Sequence, residues 1–250
     1  MILPATFSRI VGSARQFAVR PVIFLFLFVV GFCLTWSPTP PAAQSSRTDL
    51  NLVLAIDCSY SVDAAEYALQ VRGMAAALID PAIISAIQRG PNGRIAITVV
   101  QWSSSKSQII SVPWTLVSSA AEAQVLAARI GSQPRRTADG GTSISTLIDF
   151  AIAYLAKSPY NTDRSVIDVA SDGTNNNGGR VDDARDRAAA RGIEINGLTI
   201  LDEIQWLHYY FYNHVVTGPG AFVVIANDYA AYVHAIRKKL LKEILGPRMS

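Results

Sequence analysis

The chain carries the segment LNLVLAIDCSYS at residues 50–61, an apolar run that ends in a carboxylate and two hydroxyls. Such a run is typical of a central parallel strand that is covered on both faces. Because side chains alternate along an extended chain, Asp57, Ser59 and Ser61 can point toward one spot just past the strand end. Oxygen donors suit hard cations such as Mg²⁺, Mn²⁺ or Ca²⁺, whereas Zn²⁺ prefers Cys or His. The segment therefore predicts a buried strand followed by half of a metal site.

Two later segments have a similar arrangement. A Gly-Gly pair precedes Thr142 at the start of a helical pattern, and the apolar segment 166–171 is followed by Asp172 and a glycine. In an open parallel sheet the ligand crevice lies beyond the carboxyl ends of the strands, so Asp57, Thr142 and Asp172 are expected at one end of one sheet. Taken alone, each segment is equally well explained by turn and N-cap residues.

Together, the three segments resemble the metal-ion-dependent adhesion site of von Willebrand factor type A domains. The D-x-S-x-S string, the Thr of a Gly-Gly-Thr loop and the Asp-Gly after a later strand occur in the order and spacing of that family. The resemblance covers roughly residues 50–245, and the overall character is similar to a bacterial subgroup of these domains. It implies a metal set of Asp57, Ser59, Ser61, Thr142 and Asp172, with the bulky Cys58 and Tyr60 between ligand positions.

The composition of this set favours binding over chemistry. Two carboxylates and three hydroxyls would leave a divalent cation with a net charge near zero and with an open coordination position. The Asp or Glu side chain of a protein partner is favoured electrostatically at that position. The residues and the resemblance thus predict a non-enzymatic, metal-dependent protein-binding module, with Mg²⁺ as the preferred ion and Mn²⁺ or Ca²⁺ as alternatives.

A metal-dependent phosphoryl-transfer or hydrolytic enzyme is the alternative. It would use Asp57 as nucleophile and the glycine loop at a helix start as a phosphate cradle. Against it, Ser59 stands where a D-x-D phosphotransferase has a second acid, and the sequence lacks a G-x-G-x-x-G, a Walker lysine and a G-x-S-x-G elbow. A third interpretation is a degenerate scaffold that binds no ion.

The order of the apolar segments predicts an α/β fold. We expect a doubly wound, mostly parallel, Rossmann-like sheet with helices on both faces and one antiparallel edge strand. Strands are predicted at 50–56, 95–102, 107–112, 166–171, 193–200 and 221–226, and helices at 63–80, 119–131, 144–158, 181–191 and 228–245. Only four residues separate the second and third strands, which favours a hairpin because parallel strands cannot be joined so briefly.

Residues 1–43 form a distinct leader. They contain three arginines, no acid, an apolar run from Val22 to Trp36 and a tail rich in small residues and proline. This pattern is typical of a secretory signal, and its apolar run is shorter than a usual membrane span. We therefore expect residues 44–250 to form an exported domain, periplasmic or secreted, with an uncleaved membrane anchor as the alternative. Loss of the leader removes Cys33 and leaves Cys58 alone, which excludes an intramolecular disulfide.

The basic residues give no argument for nucleic acid. The three leader arginines account for the formal net charge of +3, so the remaining chain is balanced. A cluster near the C-terminus is expected on the solvated face and last turns of the final helix. It contains Arg237, Lys238, Lys239 and Lys242.

Other polar and aromatic residues carry weaker hypotheses. Asp139 is either an acid that contacts the metal ligands from behind or a turn residue. Residues 175–177, three consecutive asparagines, shape either the rim of the metal site or an ordinary loop. The aromatic stretch 206–212, treated as one helix, is apolar nearly all round, which indicates either core packing or a surface for a partner or membrane. The three histidines, His208, His214 and His234, have neither metal-ligand spacing nor an acid at a matching interval.

Overall fold

The computed structural model describes residues 47–137 and 140–246. The leader with Cys33, and Asp139 beside the glycine loop, lie outside these residues. One six-stranded sheet runs through the described domain. Its strands are β1 (Asn51–Asp57), β2 (Ile95–Trp102), β3 (Gln108–Val117), β4 (Ser165–Ser171), β5 (Ile193–Ile200) and β6 (Val223–Ala226).

The sheet order is β3-β2-β1-β4-β5-β6. All neighbouring strands are parallel except β2 and β3, which pair antiparallel at one edge. The predicted doubly wound, mostly parallel sheet is therefore confirmed. Strand order reverses around β1, so the carboxyl ends of β1 and β4 border the crevice where such folds bind ligands.

Helices cover both faces of the sheet. They are α1 (Ala64–Leu78), α2 (Pro81–Gln88), α3 (Ala120–Gly131), α4 (Ile144–Leu155), α5 (Val181–Ala189), α6 (Leu207–Tyr210) with a π-helical turn (Phe211–Val215), and α7 (Tyr232–Leu245). Alternate residues of β1 enter different cores. Leu52 and Leu54 pack in the cluster that contains residues of α1, α3 and α7, whereas Val53 and Ala55 pack in the cluster that contains residues of α4, α5 and α6. The apolar run of β1 is thus buried on both faces, as its composition predicts.

Helix α1 begins at a capping box, and a second helix that the sequence did not predict follows it. The Asp63 side chain accepts a hydrogen bond from Glu66 N at 2.8 Å, and Asp63 N donates to Glu66 Oε2 at 2.7 Å. The Asp80-Pro81 pair does more than end α1. Asp80 accepts from Ala82 N at 2.8 Å and caps α2, in which Pro81 occupies the first turn. Proline is favoured there because its missing N–H is not needed.

The aromatic stretch 206–212 divides between two environments. Leu207 and Phe211 are fully buried, whereas Trp206, Tyr209 and Tyr212 are more than half exposed. Packing therefore explains one face of the stretch, and the other face exposes aromatic rings. Within the described ranges no single helix is long and apolar enough to cross a membrane, although α1 and α2 reach that length as a pair bent by 55°.

The expectation that Lys239 lies on a solvated face is wrong. Its side chain is fully buried, and Nζ lies 2.7 Å from Asp168 Oδ1 and 2.6 Å from Glu243 Oε1. Asp168 belongs to the interior of β4, where a carboxylate without a counter-charge is costly. Helix α7 therefore turns one cation toward the sheet, while Lys238 and Lys242 remain exposed as predicted.

The buried ion group predicts a pH-dependent stability. Burial and the facing Asp168 carboxylate raise the pKa of Glu243 to about 8. An unfolded Glu titrates at about 4.3, so between these values the folded chain holds a proton that the unfolded chain lacks, and stability falls as pH rises. We expect the free energy of unfolding, measured with urea in chelator, to fall from about pH 5 to about pH 8.

The Glu243→Gln variant separates this contribution from others. Burial, and then the Asp172 charge, raise the pKa of Asp57 to about 7. Asp57 therefore also lowers the free energy of unfolding as the pH rises. The variant should therefore show a smaller fall than the unmodified protein but should not abolish it. Equal falls in the two proteins would contradict the assignment to Glu243.

Candidate metal centre

The end of β1 brings three predicted side chains together. Asp57 is only 1% exposed, and its Oδ1 accepts a hydrogen bond from Ser59 N at 2.7 Å. Ser59 Oγ lies 3.3 Å from Ser61 Oγ. The backbone turn held by the Asp57 carboxylate thus keeps the two serine hydroxyls adjacent just beyond the strand.

The neighbouring strand β4 supplies the second carboxylate. Asp172 follows β4 directly, is 3% exposed and accepts a hydrogen bond from the Ser61 hydroxyl at 2.9 Å. The Ser171 hydroxyl donates to Asp57 Oδ2, which ties the ends of β1 and β4 together. Asp172 Oδ2 also accepts from the Tyr229 hydroxyl at 2.9 Å.

Thr142 arrives from the loop before α4. Its N–H donates to Asn176 Oδ1 at 2.8 Å, and its carbonyl accepts from Asn176 N at 2.9 Å. A Cβ on Gly173 would lie 3.3 Å from Thr142 Oγ1, so the threonine hydroxyl lies directly against the loop that begins with Asp172. A Cβ on Gly141 would lie 2.8 Å from Asn176 Oδ1, so only glycine fits there without displacing that contact.

Three of the five predicted residues, Ser61, Thr142 and Asp172, line one cavity of about 470 Å³. Asp57 and Ser59 are buried behind this lining, Ser59 beside the Ser61 hydroxyl and Asp57 against the Ser171 hydroxyl. Three further residues of its lining come from two loops: Tyr60, whose side chain is 83% exposed, and Glu203 with Ile204 after β5.

The electrostatics of the cavity favour a cation. Burial raises the pKa of both carboxyls, and the Asp172 charge adds to the effect on Asp57. Among the residues that the structure describes, neither acid forms a salt bridge with Lys, Arg or His. Two mutually repelling carboxylates beside three hydroxyls form an oxygen-only donor set, which fits a hard divalent ion. The described chain offers no metal-binding group of three or more His, Cys, Asp or Glu side chains, so this set depends on its hydroxyls.

Arg135 supports the loop of residues 58–62 after β1, which we call the metal loop, and this role was not predicted from the sequence. Its Nη1 donates to the carbonyl of Val62 at 2.7 Å, and its Nη2 donates to those of Cys58 and Ser59 at 2.8 and 3.2 Å. The guanidinium thereby fixes two backbone carbonyls of the D-x-S-x-S segment and that of Val62, which follows it. No local pattern connects positions so far apart in sequence. Tyr229 escaped prediction for the same reason.

The asparagines at 175–177 and His214 make specific hydrogen bonds in the structure. The asparagine loop is more than a connection: Asn175 Oδ1 accepts from Ser145 N at 3.0 Å, and Asn177 Oδ1 accepts from Ser105 N at 2.8 Å. Together with Asn176, these residues hold the loops around Thr142. His214 does have an acid partner, because its Nδ1 lies 3.1 Å from Asp182 Oδ1, which corrects the expectation from spacing.

The sequence matches the model of a protein family over residues 47–248. That family is described as protein of unknown function (DUF1194). The chain belongs to the DUF1194 family. None of the curated proteins compared with it matches.

Solved structures define the fold of this DUF1194 chain. Proximal thread matrix protein 1 from the mussel byssus has a TM-score of 0.58 at 12% identity over 78% of the chain and 47% of that protein. The vWF domain of the type V pili tip protein Mfa5 from Porphyromonas gingivalis has a TM-score of 0.53 at 11% identity over 82% of the chain and 99% of that domain. Manganese-loaded TRAP protein from Plasmodium vivax has a TM-score of 0.50 at 14% identity over 79% and 74%.

These similarities concern the fold of the chain. The chain has the fold of a von Willebrand factor type A domain, which confirms the resemblance found in the sequence. It spans about half the length of the mussel protein.

Proposed function

We propose that this DUF1194 chain is a non-enzymatic, divalent-metal-dependent protein-binding module. The observation that carries the proposal is the pair of buried carboxylates, Asp57 and Asp172, which repel each other and form no salt bridge with a described Lys, Arg or His. A divalent cation would remove that repulsion. Asp57, Ser59, Ser61, Thr142 and Asp172 would hold it.

The donor set favours Mg²⁺, with Mn²⁺ or Ca²⁺ as alternatives, because all five side chains offer oxygen. One similar structure is manganese-loaded, which supports a divalent cation in this fold. The ion would supply a positive charge at an open coordination position. The cavity beside Ser61 and Thr142 gives a partner's Asp or Glu access to that position.

The geometry argues against the enzyme alternative. A nucleophilic Asp57 would have to reach a substrate, but its side chain is 1% exposed and both of its oxygens accept hydrogen bonds within the protein. We further propose that residues 44–250 act outside the cytoplasm, delivered by the signal or anchor at 1–43. The similarity to a pilus tip protein supports that location.

A capture experiment tests the proposed function. The purified protein is immobilised and exposed to exported proteins of its host, with Mg²⁺ or with chelator. We expect at least one partner that is retained with Mg²⁺, released by chelator and not bound by the Asp172→Asn variant. A phosphate-release assay with Mg²⁺ should show no turnover. Turnover by the unmodified protein that is lost in the Asp57→Asn variant would contradict the binding-module proposal and support the enzyme alternative.

Arg135 is expected to position the metal loop. Replacement by Met removes three hydrogen bonds to backbone carbonyls without touching a proposed ligand, and we expect Mg²⁺ affinity to fall by about tenfold or more. Calorimetric titration of Mg²⁺ measures this. Neighbouring Arg136, whose side chain is exposed, provides the control Arg136→Met. Identical Mg²⁺ affinities of the two variants would exclude a positioning role.

A further inference from the structure

Among the residues that the structure describes, the backbone groups on the outer edge of β6 have no strand partner. Within the described sheet, β6 is the last strand, and β5 is its neighbour. Gly197 N donates to Phe222 O at 3.0 Å, and Leu201 N donates to Ala226 O at 2.8 Å. The backbone groups that bond to a given neighbour alternate along a parallel strand. The N–H and C=O groups of Val223 and Ile225 therefore face away from β5.

Two lysines and a histidine lie in a row beside this edge. His234, Lys238 and Lys242 follow each other at four-residue intervals on α7, and all three are exposed. We call the two lysines, Lys238 and Lys242, the cation stripe. Lys242 Nζ lies 3.8 Å from the centre of the Phe222 ring, which holds it at the start of β6. In the described part of the chain, no salt bridge joins any of the three to an acid.

The cation stripe and β6 line one groove. The groove has a volume of about 450 Å³, and none of the described Asp or Glu residues contributes to its lining. Of the nearby acids, Glu243 is buried against Lys239, and Asp80 pairs with Arg237. Exposed Asp228, next to the lining residue Asn227, accepts a hydrogen bond from Ala231 N at 2.7 Å. The groove therefore combines an open strand edge with two lysines that form no salt bridge with a described acid.

The spacing of the cation stripe matches that of an added strand. Four helical residues advance about 6 Å, and two residues of a strand advance about 6.6 Å. Alternate side chains of a strand beside β6 could therefore meet successive cations of the stripe. The intervening side chains would point to the other face, where Val223 packs and where Ile225 is 44% exposed.

We propose that β6 accepts an extended segment of a partner protein as an additional strand, with acidic residues at alternate positions facing the cation stripe and apolar residues between them. The exposed backbone groups favour a peptide over a lipid surface, because only a peptide can pair with both N–H and C=O. The site is independent of the metal cavity and of the function proposed for it.

A labelled peptide of alternating sequence, Glu-Val-Glu-Thr-Glu-Val-Glu, tests the proposal by fluorescence anisotropy. The measurement uses the full protein in chelator, so that binding at the metal cavity does not contribute. We expect the double variant Lys238→Glu/Lys242→Glu to weaken binding by about tenfold or more, since two favourable charge contacts become repulsive. The control Lys106→Glu/Lys157→Glu reverses two exposed lysines elsewhere and should bind as the unmodified protein does.

Two further measurements separate strand addition from simple charge attraction. The same peptide with N-methylated backbone, and a peptide of identical composition with all glutamates in one block, should each bind at least about tenfold more weakly. Equal affinity of either peptide would overturn the proposal. A second outcome would also overturn it: the unmodified protein does not bind the peptide, and the Lys238→Glu/Lys242→Glu variant self-associates. The lysines would then serve to keep the strand edge unpaired.

Discussion

Replacement of Lys239 by Met is expected to lower the free energy of unfolding by about 3–5 kcal/mol. The reason is that Asp168 and Glu243 would remain buried after their shared cation has gone. The raised pKa of Glu243 allows that carboxyl to take up a proton, but Asp168 then still lacks the ammonium group it faces at 2.7 Å. Urea denaturation monitored by circular dichroism measures the change.

The neighbouring residue provides a matched control. Lys238 is exposed on the same helix, so Lys238→Met should change the free energy of unfolding by no more than about 0.5 kcal/mol. The variant Lys239→Met/Asp168→Leu/Glu243→Met, which replaces the whole ion group by apolar side chains, should recover much of the loss. If Lys239→Met and Lys238→Met are equally stable, the buried ion group does not support the fold.

Mg²⁺ is expected to stabilise the folded protein substantially. An ion that binds only the folded state at about one hundred times its dissociation constant adds about 2.7 kcal/mol. For a domain of this size that gain corresponds to a rise in unfolding temperature of about 5–10 °C. Differential scanning calorimetry with Mg²⁺ and with chelator measures the difference.

The Asp172→Asn variant should lose this response. Without metal it removes the repulsion between two buried carboxylates, so in chelator it should be at least as stable as the unmodified protein. Adding Mg²⁺ should then leave its unfolding temperature nearly unchanged. Asp183→Asn, which alters an exposed acid on α5, should keep the full Mg²⁺ response. A Mg²⁺-induced rise of the same size in Asp172→Asn would exclude the proposed site.

Much of the fold was predictable because its signals are local. The apolar run of β1, the capping box of α1 and the short turn between β2 and β3 each specify an element within a few residues. The sheet order then follows from general rules for parallel strands. Helix α2 was missed because the predicted helix 63–80 was ended just before Pro81, although proline equally begins a helix.

The position of the proposed ligands at one end of the sheet was predictable, whereas the residues that support them were not. Asp57, Thr142 and Asp172 each follow a recognisable strand or loop, so topology alone places them at one end of the sheet. Arg135 and Tyr229 reach the site from loops without such a signal, and only the folded chain shows their contacts. Lys239 illustrates the same limit, since a basic helix end predicts exposure unless a buried acid such as Asp168 is known to face it.

Diffraction from crystals grown with Mn²⁺ tests the central claim most directly. The anomalous signal of the metal locates it without reference to the protein coordinates. We expect one strong peak enclosed by Asp57, Ser59, Ser61, Thr142 and Asp172, with its direct oxygen ligands at about 2.0–2.6 Å. A crystal that binds Mn²⁺ only elsewhere on the protein, with these five side chains still hydrogen-bonded to one another, would contradict the account.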